Sequence, residues 1–275
     1  MTIQTRDQLI DALANNSSRF IIDKASLANA AAGQLFSLWS ATGVPGAGSA
    51  PGTTPVIPTN ATVGAIGFTN QTAPATSYLA YLWAAFGNAL GSVEIHDRLL
   101  HVSGASGTIT TAQTTGVACD LTTSNPGSDR IGAADYSDVS WFLEVHTDMG
   151  ATGVNATVNV TYDDASTGNL AAIALGATPR RGRMYPLISA VAVRRIRGVN
   201  SVTLSATTGN AGNFGITATR QRTAVSAPVA NFPVISDWAQ LGLPNVPNDS
   251  CLSMIMLCST TSTGTVRGQG KIAHG

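Results

Sequence analysis

Hydrophobic and polar positions fall into two regimes along the chain. Up to about residue 45 their spacing predicts helices. Thr5 is placed to cap a helix over residues 6–14, where Leu9, Ile10 and Leu13 share a face. Ser26 is placed to cap a second helix over 27–39, with Leu35, Phe36 and Trp39 on its late face and Gly43 and Pro45 beyond its end. From about Thr76 the period becomes two. In residues 154–162 (VNATVNVTY), Val154, Ala156, Val158, Val160 and Tyr162 alternate with Asn and Thr. Residues 139–147 put Trp141, Leu143 and Val145 on one face and Phe142, Glu144 and His146 on the other. Further strands are expected over 169–175, 184–196, 201–206 and 213–221, separated by turn-forming DDASTGN, GATPRRG and TTGNAG. The runs 78–86 and 93–102 read as two strands around Gly87, Asn88 and Gly91, and the C-terminal CLSMIMLCSTTSTGTVRGQGKIAHG reads as a hairpin.

Together these elements predict a mainly β chain with an antiparallel β-sandwich or jelly-roll-like body and an N-terminal helical and extended arm. The expected division is an arm over 1–75, a body over 76–225, and a C-terminal extended segment and hairpin over 226–275, packed on the body or a neighbour.

Charge sharpens this picture. Apolar residues make up 44% and charged residues only 11%, with 15 basic and 15 acidic side chains cancelling. Disorder is excluded by the apolar content, and a general nucleic-acid binder by the missing basic surplus. Only Lys24, Lys271, Glu94 and Glu144 represent Lys and Glu. Residues 25–93 form a run of 69 without any Asp, Glu, Lys, Arg or His. Its Gly/Pro/Ala/Thr-rich centre reads as an extended loop lying on neighbouring subunits. No signal peptide and no membrane helix are expected.

Candidate chemistry is sparse. Cys119, Cys251 and Cys258 match no disulfide framework or zinc spacing and are expected to be buried. His96 and His101 are expected at the surface on opposite strand faces, and His274 near the chain end is expected to fray. Glu144 and His146 share a strand face, either as an acid–base pair or as two residues on a wetted face. Asp129, Asp135 and Asp138, and Asp163 with Asp164, offer oxygen ligands of the kind calcium takes, without an EF-hand loop. No nucleophile elbow, P-loop or dinucleotide fingerprint is present. The expectation is therefore a protein that is not an enzyme, with no catalytic residue, metal or cofactor. Six of the arginines (Arg180, Arg181, Arg183, Arg194, Arg195 and Arg197) flank one predicted strand and form a candidate basic rim for an acidic partner.

Four stretches carry a family likeness: LFSLWSATGVPGAGSAP, SYLAYLWAAFGNALGSVEIHDRLLHVSG, SVTLSATTGNAGNFGI and NFPVISDWAQLGLPNVPNDSCLSMIMLCSTTSTG. In these the chain resembles tailed-bacteriophage virion proteins encoded among the capsid and tail genes, in the style of head decoration and cement proteins. The resemblance implies a virion location after assembly in the host cytoplasm. It implies partners that are the major capsid protein or other virion subunits, and a homo-oligomer such as a trimer, with neither specific nucleic acid nor membrane bound. A tail or host-contact role, binding a receptor or glycan, is the alternative. Phe36, Trp39, Trp238 and the six arginines are the expected contact residues.

Overall fold

The computed structural model describes residues 3–275. In chain order the elements begin with α1 (Arg6–Asn15), β1 (Ser17–Lys24), β2 (Leu35–Ser37), β3 (Gly43–Val44), β4 (Ser77–Phe86), β5 (Gly91–Ala105) and β6 (Cys119–Asp120). They continue with α2 (Ser128–Ile131), β7 (Ser140–Thr147), β8 (Val154–Tyr162), β9 (Thr167–Asn169), β10 (Ile173–Gly176), β11 (Arg183–Leu187) and β12 (Ile196–Leu204). Last come β13 (Asn213–Ala227), β14 (Val234–Asp237), α3 (Trp238–Leu241), β15 (Asn245–Val246), β16 (Leu252–Leu257) and β17 (Val266–His274). The chain is mainly β and its paired strands are antiparallel, as the alternating pattern requires.

Two compact units divide the chain. The first gathers residues 3–49, 59–97 and 221–275, and the second 50–58 and 98–220. In the first unit one sheet runs β14–β4–β17–β1–β3, with β15 also on β4. A second ladder joins β2 to β16, and β16 to the first half of β5. Phe20, Ile22, Phe36, Leu79, Leu82, Phe86, Ile95 and Met256 are among the side chains of its core. The second unit holds the sheet β10–β8–β12–β6, with β9 on β8, and a ladder in which β7 lies between β11 and β13. Its core includes Leu99, Val102, Trp141, Leu143, Val158, Val160, Phe214 and Ile216.

Helix α1 forms where expected. The Thr5 hydroxyl accepts from the Gln8 amide, and the Gln8 side chain accepts in turn from the Thr5 amide. The second expected helix does not form. Asn29 and Gly33 take positive φ values of 63° and 78°, which a helix does not contain, and Phe36 pairs across β2 with Met256 instead. The expected C-terminal hairpin is also absent. Strand β16 joins β2 and β5, while β17 lies between β1 and β4. The expected strand over 184–196 stops at Leu187 and resumes at Ile196, leaving residues 188–195 as a loop. The Gly/Pro-rich segment is irregular, as its composition requires, but it packs on its own chain. Within the first unit Ile66 pairs with Leu252, and within the second Val56 pairs with His101.

Candidate functional site

Lys24 stands at the edge of the long uncharged run and serves it. Its ammonium is buried and donates to the carbonyls of Ala41, Pro45 and Gly46 at 3.0, 2.7 and 3.3 Å. Burial lowers its pKa to about 8. One cation thus fixes the start of a loop with no charges of its own. Trp39 reinforces it, its indole N–H reaching the Ser49 carbonyl at 2.9 Å.

The densest group of ionisable side chains lies inside the second unit. Glu144 faces inward from β7, and its carboxylate takes the Arg98 guanidinium at 2.5 and 3.4 Å and the Thr217 hydroxyl at 2.5 Å. Arg98 Nε donates to His101 Nδ1 at 2.9 Å, which puts the imidazole proton on Nε2. Burial alone would raise the Glu144 pKa, but Arg98 outweighs it and holds the carboxyl at about 2. Burial, aided by Arg98, pushes His101 down to about 2. His146 is lowered too, by burial first, and its buried Nε2 has no hydrogen-bond partner among the described residues. All five side chains are buried, so this is a sealed bidentate pair with neutral imidazoles beside it. The shared face expected for Glu144 and His146 is present; it is not wetted, and Glu144 is spent on Arg98 and Thr217.

The other histidines also differ from expectation. His96 is buried and bonded to Glu94 at 2.7 Å, and His101 lies in the cluster just described. His274 does not fray, because its ring bridges the Ser18 and Ser77 hydroxyls at 2.7 and 2.9 Å. Polar partners inside the fold outweigh the surface preference of histidine. The cysteines are buried, as expected. Of the acidic groups, Asp138 goes to Arg220 at 3.1 Å and Asp164 to Arg194 at 2.7 Å. Among the described residues no three His, Cys, Asp or Glu are placed to hold a metal ion together.

The expected contact residues separate into two classes. Phe36 and Trp39 are core side chains of the first unit and offer no outer face, because β2 is pinned by β16 and Trp39 packs with Ala65 and Cys251. Trp238 remains more than a third exposed, at the start of α3. The arginines of the second unit do not form a bare basic rim. Arg180 pairs with Asp148 at 2.8 Å, Arg194 with Asp164, and Arg197 with Asp120 at 3.1 Å, while Arg183 lies over the Tyr185 ring. Arg181 and Arg195 are exposed.

Sequence reasoning missed the surface that these arginines border. In the loop 188–195, Ile188 is 76% and Val193 82% exposed, with Val191 beside them. The loop is a built turn. Ser189 Oγ donates to the Val191 carbonyl at 2.8 Å, the Arg194 amide donates to the same carbonyl, and the Arg195 amide donates to Asp163 Oδ1 at 3.0 Å. Its apolar alternation resembles that of a strand; only the turn bonds reveal that it presents its side chains to solvent. Among the described residues no helix is long and apolar enough to cross a membrane.

No family model matches this chain, and no curated protein matches it. Among solved structures, a mutant VP2 protein of infectious bursal disease virus in T=1 particles aligns with 99% of this chain and 84% of its own, at 11% identity and a TM-score of 0.17. The Gx strain of infectious bursal disease virus gives 10% identity over 99% of this chain and 85% of that one, with a TM-score of 0.18. Scores this low carry no residue or role across to this chain.

Proposed function

We propose that this protein is a structural component of a virion, a capsid-associated decoration or cement protein of a tailed phage that stabilises capsomer junctions through protein–protein contacts. Its partners on this reading are the major capsid protein and further virion subunits, and its location is the virion. The observation that carries the proposal is the loop 188–195, an apolar tip on a charge-neutralised base. A free protein gains nothing by holding Ile188, Val191 and Val193 together in water on one turn, and contiguous exposed apolar surface is where partners dock once it exceeds a few hundred Å². Asp163 and Asp164 offset Arg194 at its base, so the loop suits a protein groove better than an anionic lipid surface or a phosphate backbone. The sequence resemblance to phage virion proteins supports the same reading.

This role is non-enzymatic. The Arg98–Glu144–His101 cluster supports that view, since a general acid or base must reach a substrate proton and these groups are enclosed. The test is co-sedimentation of purified protein with capsids that lack it. Replacing Ile188 and Val193 by Asp should abolish binding while thermal unfolding stays within a few degrees of the parent. Undiminished binding by that variant, or turnover of a substrate by the parent, would overturn the proposal.

A further inference from the structure

The outer face of the first unit's sheet carries a pattern that fits itself. Its strand registers align three rows across β14, β4, β17 and β1. The middle row is Ile235–Trp83–Gln269–Ile21, and the row beside it Asp237–Tyr81–Lys271–Arg19. The third row runs Ala85–Arg267–Asp23 and extends to Val44 on β3. Ile21 and Ile235 are 52% and 56% exposed, and Trp83 and Tyr81 are half-buried on the same face. At one end the face is closed by α1, where Leu9 and Ala12 pack on Ala80 and Ala273 next to a bulge at Lys271/Ile272. The rest is open. It includes a depression of about 230 Å³ lined by Arg19, Tyr81, Gln269, Gly270 and Lys271. Gly270 has to remain without a side chain, because a Cβ there would run into the Phe20 ring beneath.

We infer that this face docks on the same face of a second copy, about a two-fold axis running along the strands between β4 and β17. That operation exchanges β14 with β1 and β4 with β17. Asp237 then lies opposite Arg19 of the second copy, and Ile235 opposite its Ile21. Tyr81 meets the methylene stem of Lys271, whose ammonium donates to the Leu13 carbonyl of its own copy at 3.1 Å, and Trp83 meets Gln269 at the rim of the depression. Opposite charges oppose each other and the aliphatic side chains meet, whereas Arg267 stays neutralised by Asp23 at 3.2 Å within its own copy. Sheets stacked this way keep their strands aligned, the common geometry of β-sandwich interfaces.

Area sets the expected strength. Four strands spaced about 4.8 Å apart and three rows about 7 Å apart cover roughly 400 Å² per copy, about half the usual ~800 Å² per partner and in the range of weak, transient contacts. The dimer therefore dissociates on dilution. This surface is independent of the virion reading, which rests on the loop 188–195 of the other unit.

The experiment is oxidative cross-linking of the full-length chain carrying Ile21→Cys and Ile235→Cys. Within one copy these positions lie three strand spacings apart, about 14 Å, beyond the reach of a disulfide. The double variant should give a covalent dimer, as should an equal mixture of the two single variants. Either single variant alone should remain at least tenfold less cross-linked. Sedimentation of the uncross-linked parent should show a concentration-dependent dimer, shifted to monomer by Trp83→Thr. Monomer at every concentration, cross-linking of the single variants equal to that of the double, or a dimer indifferent to Trp83→Thr would each overturn the inference.

Discussion

Each unit contains an antiparallel sheet with one open face, and the two faces are made differently. In the second unit, β8 turns Asn155, Thr157 and Asn159 outward. There the amide of Asn159 donates to Asn169 at 2.7 Å, that of Asn200 donates to Asn159 at 2.9 Å, and the Thr161 hydroxyl donates to Asn200. Side-chain amides tie one another into a layer that water finishes. In the first unit the equivalent positions hold Trp83, Ile21 and Ile235, which water cannot finish. The same fold principle thus yields one face that suits solvent and another that calls for a partner. Adhesion is decided at alternate positions of a few strands, not by overall hydropathy.

The contrast can be tested from the inside outward. The largest effect is expected inside the second unit. Glu144→Leu leaves the Arg98 guanidinium buried without its carboxylate and should cost about 3–5 kcal/mol, read by urea denaturation. A loss under about 1 kcal/mol would show that water reaches Arg98. Acid should act on the same group. His101 sits at about 2 in the fold against an ordinary value near 6.5, so the unfolded chain binds the proton first. Stability is complete above pH 6.5 and falls below it, by roughly 2 kcal/mol at pH 5 from His101 alone. Glu144, also held at about 2, adds a further loss as pH falls from about 4.5. Urea midpoints at pH 7.5, 6 and 5 check the sign; a flat series would contradict it.

The faces themselves should respond more gently. Replacing Asn155, Thr157 and Asn159 together by Val should turn the solvated sheet into an adhesive one, seen as new concentration-dependent light scattering. In the other direction, Trp83→Thr should change stability by about 1 kcal/mol or less, because the side chain is only half-buried. Unfolding of that variant would mean that Trp83 serves the core and that the two faces differ less than argued.

The readable part of the fold is the part with one wet face. Strand β8 announces itself because Val and Asn/Thr alternate between core and solvent. Along β5 the burial is nearly continuous from Ile95 to Ser103, and its histidines and arginine look like surface residues until their partners on other strands are known. Glu144 was visible as sharing a face with His146, but its partner Arg98 lies 46 residues away and carries no local mark. The failed helix over 27–39 has the same cause: pairing of Phe36 with Met256 overrides local spacing. The loop 188–195 failed in the opposite sense, since its alternation is real but no strand lies beside it.

Strand order also bears on when the adhesive face comes into being. It needs β17, which enters between β4 and β1 and is made after every strand of the second unit. The second unit draws its strands from residues 98–220 and can condense while that strand is still unmade. Trp83, Ile21 and Ile235 are not set side by side until β17 has emerged. A nascent chain therefore carries its sticky residues scattered, and the surface appears only on a molecule whose other unit has had time to fold.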